Sequence, residues 1–237
     1  MNSSRDSDVT PMAPSFDAAS GRERVARAII ETGLCLITDD RLEIDELLES
    51  TRRAILGGVR LVQYRDKHSS RRQFLEKARH VQALCTEHKV AFIVNDLADV
   101  ALILGADGLH LGQDDLPSDL ARSIVGDRMA IGLSISYVPE AETAAAEQIV
   151  DYIGCGAVFP TSTKPDAEFG GLELLRAVRE ILQVPILGIG GITAENLAQP
   201  LAAGADGVAL VSAVYGHAAP DEAARQILGS IRRARTQ

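Results

Sequence analysis

The chain has 237 residues, 46 % hydrophobic and 4 % aromatic, with a formal net charge of −9. That length suits one large α/β domain, and the acidic balance excludes a broad nucleic-acid footprint, which needs clustered Lys and Arg. No apolar run reaches the roughly 20 residues of a membrane-spanning helix, so neither nucleic acid nor membrane is expected as a partner.

Residues 1–25 are read as a flexible tail, rich at its start in Ser, Asp, Ala and Pro and without the apolar stretch of a secretory signal. The folded domain is expected over 26–237. There, short aliphatic runs alternate with longer amphipathic stretches. The runs cover 34–38, 59–64, 90–94, 108–111, 130–134, 151–155, 185–188 and 207–211. Brief, continuous apolar runs of this kind are how strands buried on both faces read. Amphipathic stretches such as 44–56, 71–88, 171–182 and 195–203 have helical spacing, and strands alternating with helices predict parallel βαβ units. Cys35, Cys85 and Cys155 form no CxxC pair, which speaks against a disulfide framework or zinc site and for a reducing, cytoplasmic setting.

An internal echo counts the units. Gly105-Ala106-Asp107-Gly108-Leu109 returns as Gly204-Ala205-Asp206-Gly207-Val208. The copies lie about 99 positions apart, room for four βα units of about 25 residues, so eight units fill the chain after the tail. Each copy is expected to end a helix on its first Gly and then enter a strand. The fold class expected is α/β, a single (β/α)8 TIM barrel. The sequence admits a homo-oligomer and does not decide it.

In such barrels the active site lies at the C-terminal strand ends. The second run ends in Gln63-Tyr64-Arg65-Asp66-Lys67. On an extended segment Arg65 and Lys67 point to one side, with Gln63 in the same row. A planar fork and a compact ammonium suit phosphate oxygens; the competing reading is a strand end whose Arg65 pairs with a nearby Asp. Asp96 and Asp115 follow adjacent runs, and two carboxylates beside a phosphate-binding row suit Mg2+. Asp96 also has the place of a helix N-cap, and Asp115 that of a turn before Pro117.

His110 sits inside the fourth run, open to a packing role or a site role, and Ser134 closes the fifth. Pro160 opens a polar loop through Thr161, Ser162, Thr163 and Lys164, able to bridge two anionic sites. Gly188-Ile189-Gly190-Gly191 after the seventh run, with Val211 and Ser212 after the eighth, occupies the common phosphate site of these barrels.

Taken in order, the Gln63–Lys67 block, Asn95-Asp96, the stretch 106–115, Pro160 to Lys164, Gly188 to Gly191 and Val211-Ser212 resemble the thiamine phosphate synthase family, over roughly 34–214. The resemblance implies a transferase that joins a hydroxymethylpyrimidine diphosphate to a thiazole phosphate and releases pyrophosphate. It implies that Gln63, Arg65, Lys67 and Asn95 hold the diphosphate, helped by Ser134 and Lys164. Arg65, Lys67, Ser134 and Lys164 are then the catalytic candidates, and Asp96 with Asp115 the Mg2+ ligands. Thr161, Thr163, Gly191, Val211 and Ser212 would hold the thiazole phosphate. Tyr64, Asp66, His110 and Ser162 are further candidates for substrate contact. One position departs from the pattern: the family commonly has His two residues after Ser134, where this chain has Ser136. Three other readings compete, one of them a different phosphate-handling barrel such as a ribose-phosphate isomerase or a lyase, which would not explain the carboxylate pair beside the basic row. A thiazole tautomerase-like isomerase would need only the thiazole half of the site, and a non-catalytic barrel sensing a phosphometabolite would need no metal pair.

Overall fold

The computed structural model describes residues 19–161 and 170–236. Eight parallel strands close into a barrel in sequence order. They are β1 Leu34–Ile37, β2 Leu61–Tyr64, β3 Ala91–Asn95, β4 Gly108–Leu111, β5 Ala130–Ile135, β6 Tyr152–Cys155, β7 Ile186–Ile189 and β8 Gly207–Leu210. The helices are α1 Gly21–Thr32, α2 Ile44–Leu56, α3 Arg71–Glu87, α4 Ala98–Leu104, α5 Ser118–Val125, α6 Val138–Glu147, α7 Gly171–Ile181, α8 Ala198–Ala202, α9 Ser212–Tyr215 and α10 Pro220–Arg235. Each of the eight expected runs overlaps a strand, with β3, β5 and β7 extending one residue beyond. Among the described residues, no helix is long and apolar enough to cross a membrane.

Period two divides each strand between two apolar cores. Leu34, Leu36, Val62, Tyr64, Phe92, Val94, Leu109 and Leu111 join the shell between barrel and helices. Cys35, Ile37, Leu61, Ala91, Ile93, Ala130, Tyr152, Leu187 and Ala209 fill the inside, with Val25, Ala28 and Ile29 of α1 closing it from below. That spacing of i, i+3 and i+4 is one helical face. Ser20 starts α1 with a capping box, its hydroxyl accepting from Glu23 N–H while the Glu23 carboxylate accepts from Ser20 N–H. The structure therefore corrects the expected tail boundary, because residues 21–25 belong to the helix that plugs the barrel.

The two echoed aspartates, Asp107 and Asp206, act at the floor together with Asp151. Asp107, before β4, accepts Phe92 N–H of β3 at 2.8 Å. Asp151 does the same for Ile131 of β5 at 2.8 Å, and Asp206 for Ile186 of β7 at 2.8 Å. Each carboxylate also meets an arginine: Arg24 Nε on Asp107 at 2.7 Å, Arg122 on Asp151 at 2.7 Å and Arg179 on Asp206 at 3.0 Å. Gly105 ends α4 in the left-handed conformation, as expected; the matching Gly204 lies one residue beyond the cap Ala203. The expected helix over 195–203 shortens to α8, since residues 193–197 are taken up by a turn in which Leu197 N–H donates to Thr193 O at 3.1 Å.

Candidate active site

The extension of β2 carries the basic row over the rim. Thr38, at the end of β1, fixes it: Arg65 N–H donates to Thr38 Oγ1 at 2.8 Å, and that hydroxyl donates to Arg65 O at 2.9 Å. The Arg65 guanidinium reaches Asp40 Oδ2 at 3.2 Å, and the same oxygen accepts Lys67 N–H at 3.1 Å. The ion pair of the competing reading, Arg65 with a nearby Asp, is thus present, and Asp40 is a rim residue that sequence reasoning passed over. Two acids directly after Thr38 were the available signal.

Lys67 Nζ is bonded to the Asp96 carboxylate. Asp96 takes a positive φ of 64° and its N–H donates to His110 O at 2.8 Å. Helix α4 starts from Leu97 without a side-chain cap, so Asp96 is not the cap its position suggested. The Asp115 carboxylate accepts Gly112 N–H at 2.7 Å, which makes it a turn residue as well. Burial and the adjoining Asp96 carboxyl hold the Asp115 carboxyl above the usual range. Two carboxylates in contact, with the Lys67 ammonium on one of them, form a site short of positive charge. Among the described residues no group of three or more His, Cys, Asp or Glu surrounds a metal position. A pair fits Mg2+, which takes one or two carboxylates and completes its shell with water and substrate phosphate.

Inside the barrel mouth lies a buried polar chain. Gln63 bonds the Tyr152 hydroxyl, which lies 3.0 Å from His110 Nδ1; His110 Nε2 lies 3.0 Å from Ser134 Oγ. Burial pushes His110 down to about 4, so it is neutral at physiological pH. Register makes this possible: His110 pairs with Gly132 of β5, where an added Cβ would stand 2.1 Å from the Tyr152 ring. Tyr152 is the second residue the sequence reading missed; period two along β6 puts it on the same face as Gly154. Asn95, buried at the end of β3, pairs in register with His110. Gln113 Nε2 donates to Ser134 O at 2.7 Å.

Tyr64 and Asp66 were expected at the substrate and are corrected by strand alternation, which turns them towards the helices. The Tyr64 ring packs edge-on to Phe74, with centroids 4.8 Å apart, and its hydroxyl donates to Asp66 at 3.3 Å. Burial alone would raise the Asp66 carboxyl, but Ser69, His68 and Lys77 bond it and bring it down to about 2. It holds the β2–α3 turn.

The other half of the rim follows β6, β7 and β8. Gly190 and Gly191 have φ of 97° and 60°. A Cβ on Gly191 would stand 2.4 Å from Pro160 O, so only glycine fits against the β6 loop. Thr161 and Val211 are half-buried at this rim and Ser212, opening α9, is exposed. Ser162, Thr163 and Lys164 lie outside the described residues. Ser136 N–H donates to Glu140 Oε2 at 2.6 Å, at the start of α6.

A family model described as thiamine monophosphate synthase matches residues 34–214. The chain belongs to the thiamine monophosphate synthase family. A protein of Alkaliphilus oremlandii named thiamine-phosphate synthase is 41 % identical over 204 residues, 86 % of this chain and 97 % of the relative. One of Chlorobium limicola with the same name is 42 % identical over 201 residues, 84 % and 94 % of the two chains. Among solved structures, thiamine phosphate pyrophosphorylase from Pyrococcus furiosus superposes with a TM-score of 0.78 at 35 % identity, covering 87 % of this chain and 98 % of that one. Orotidine 5'-phosphate decarboxylase from Pyrococcus horikoshii, at 17 % identity and a TM-score of 0.63, shares the fold. Within the thiamine monophosphate synthase family, then, this member keeps the basic row, the carboxylate pair and the glycine loop together on one barrel rim.

Proposed function

We propose that this chain is a thiamine phosphate synthase. It condenses 4-amino-2-methyl-5-hydroxymethylpyrimidine diphosphate with 4-methyl-5-(2-phosphoethyl)thiazole, giving thiamine monophosphate and pyrophosphate, in the cytoplasm. The observation that carries this reading is the meeting of Lys67, Asp96 and Asp115 beside Arg65. An isomerase of the thiazole alone has no use for that charge set, nor does a sensor of one phosphate.

The chemistry divides between the two halves of the rim. Gln63, Arg65, Lys67 and Asn95 hold the diphosphate, with Ser134 and Lys164 assisting. Asp96 and Asp115 would hold Mg2+, which supplies charge neutralisation to the departing pyrophosphate. Thr161, Thr163, Gly191, Val211 and Ser212 hold the thiazole phosphate.

The bond from the pyrimidine methylene to the diphosphate oxygen breaks, and its electron pair leaves with pyrophosphate. The lone pair of the thiazole nitrogen then forms the new C–N bond, leaving a thiazolium product. No protein nucleophile takes part. Neutral His110 carries no imidazolium proton to give as an acid, so its work, bonded between Tyr152 and Ser134, is to hold the pocket wall. Arg65 and Lys67 stabilise charge where it develops, a type of preorganised electrostatics worth several kcal/mol. Placing two anionic substrates in line supplies the rest.

The test is pyrophosphate release by the purified protein. Release is expected only with both substrates and Mg2+ present. Release at the same rate from the pyrimidine diphosphate alone would make the protein a hydrolase and end this reading.

A further inference from the structure

In the glycine loop, three successive carbonyls are tied down. Ile189 O accepts Val158 N–H at 2.9 Å and Gly190 O accepts Phe159 N–H at 3.1 Å. Gly191 O accepts Asn196 Nδ2 at 3.0 Å. Main-chain donors of the β6 loop hold the first two, and any residue could supply them. A side chain holds the third. Asn196 is itself fixed at its other end, because Oδ1 accepts Thr193 N–H at 2.8 Å. One amide group therefore spans the turn from Gly191 to Thr193.

The trans peptide turns these bonds into a directional statement. A carbonyl and the N–H that follows it share one plane and point opposite ways. These peptide bonds are trans. Each tied carbonyl therefore aims the N–H of the next residue away from its own partner, and the bond from Asn196 to Gly191 O sets the Ile192 N–H on the side away from Asn196. Consecutive amides in a glycine turn make an anion-binding concavity. Without a Cβ, Gly191 leaves the Gly191–Ile192 peptide more backbone freedom than another residue would, and the bond from Asn196 restrains it.

We propose that Asn196 is a positioning residue of this enzyme, orienting the Ile192 amide towards the phosphate of the thiazole substrate without touching that substrate. This rests on the reading of the glycine loop as the thiazole-phosphate site. It reaches further by making phosphate affinity depend on a side chain that faces the loop from behind.

The test compares wild type with Asn196→Ala and Asn196→Asp. Aspartate keeps the acceptor for Thr193 N–H and loses the donor to Gly191 O. Calorimetric binding of the thiazole phosphate is expected to weaken about tenfold in both variants, the size of one lost hydrogen bond. The KM for the thiazole phosphate rises with it, while the KM for the pyrimidine diphosphate and the melting temperature of the aspartate variant stay near wild type. Unchanged thiazole-phosphate affinity in the folded aspartate variant overturns the proposal, as does an equal rise in both KM values. Wild-type protein that binds the thiazole phosphate without turning over the substrate pair would remove the proposed reaction and leave the role of Asn196 testable by binding alone.

Discussion

The Lys67 ammonium is bonded to the Asp96 carboxylate, 29 positions further along the chain. The proposed diphosphate donor and the proposed metal ligand thus neutralise each other at the ends of adjacent strands. Because Asp115 adjoins Asp96, the pair sits in a local field that already has more negative charge than Lys67 can cancel. Adding a divalent cation to the two carboxylates would release Lys67 for phosphate oxygens.

Replacing Asp115 should therefore be costly. Asp115→Ala is expected to lower turnover by ~10²-fold or more, the scale of losing one preorganised charge stabiliser. Steady-state pyrophosphate release over a range of Mg2+ concentrations measures it. Full magnesium-dependent activity in the purified variant would take Asp115 out of the metal site.

His110 links stability to pH. Its value in the folded protein is about 4 because of burial, below the ordinary value of roughly 6.5 in the unfolded chain. Between these values the unfolded chain binds the extra proton, so stability falls as pH drops from about 6.5 towards 4. The full contribution is present above that window. Going from pH 7 to 5, wild type should lose roughly 2 kcal/mol more than His110→Gln, at about 1.4 kcal/mol per pH unit. Urea unfolding at the two pH values reads this directly, and identical losses would show that His110 titrates normally.

Gly132→Ala should cost about 1–3 kcal/mol as an overpacking change inside the barrel. Its Cβ would stand 2.1 Å from the Tyr152 ring, and neither paired strand can move far. Combining it with Tyr152→Ala should destabilise less than the sum of the two single changes, since the clash is then gone. Additive effects would mean that the two side chains do not share the space.

At the floor, Asp107→Ala leaves Phe92 N–H without its acceptor and Arg24 without its carboxylate partner. A loss of about 2–4 kcal/mol is expected, from a buried donor and a part-buried cation left unpaired. Turnover per folded molecule at low temperature should be unchanged, because the floor of such barrels serves stability and the rim serves catalysis. A fall in turnover without a fall in urea midpoint would contradict that division.

Much of this was legible because apolar period and chain length are strong constraints. Eight runs, each buried on both faces, leave few alternatives to a closed barrel. The row Gln63, Arg65, Lys67 was legible for the same reason, as alternate residues share a face. The same alternation should have set Tyr64 and Asp66 apart, yet their polar atoms drew them into the site. Asp40 and Tyr152 were hidden differently. An acid in a loop looks like solvated surface until its partner across the rim is known. An aromatic in a strand looks like core until Gly132 shows the space made for it. Residues 21–25 read as tail because Val25, Ala28 and Ile29 are spaced out by charged neighbours.

The three floor aspartates tie strands in couples, β3 with β4, β5 with β6 and β7 with β8. The position before β2 holds Arg60 instead, whose carbonyl accepts Ala91 N–H of β3 at 3.0 Å. Seen from below, the eight-fold ring has the grammar of a four-fold one with a single irregular member. Its natural quantum is two strands and their helices, some fifty residues by the usual size of such units. The β1–β2 couple lacks such a carboxylate before β2 and is fastened at the rim instead, where Thr38 and Arg65 exchange two hydrogen bonds.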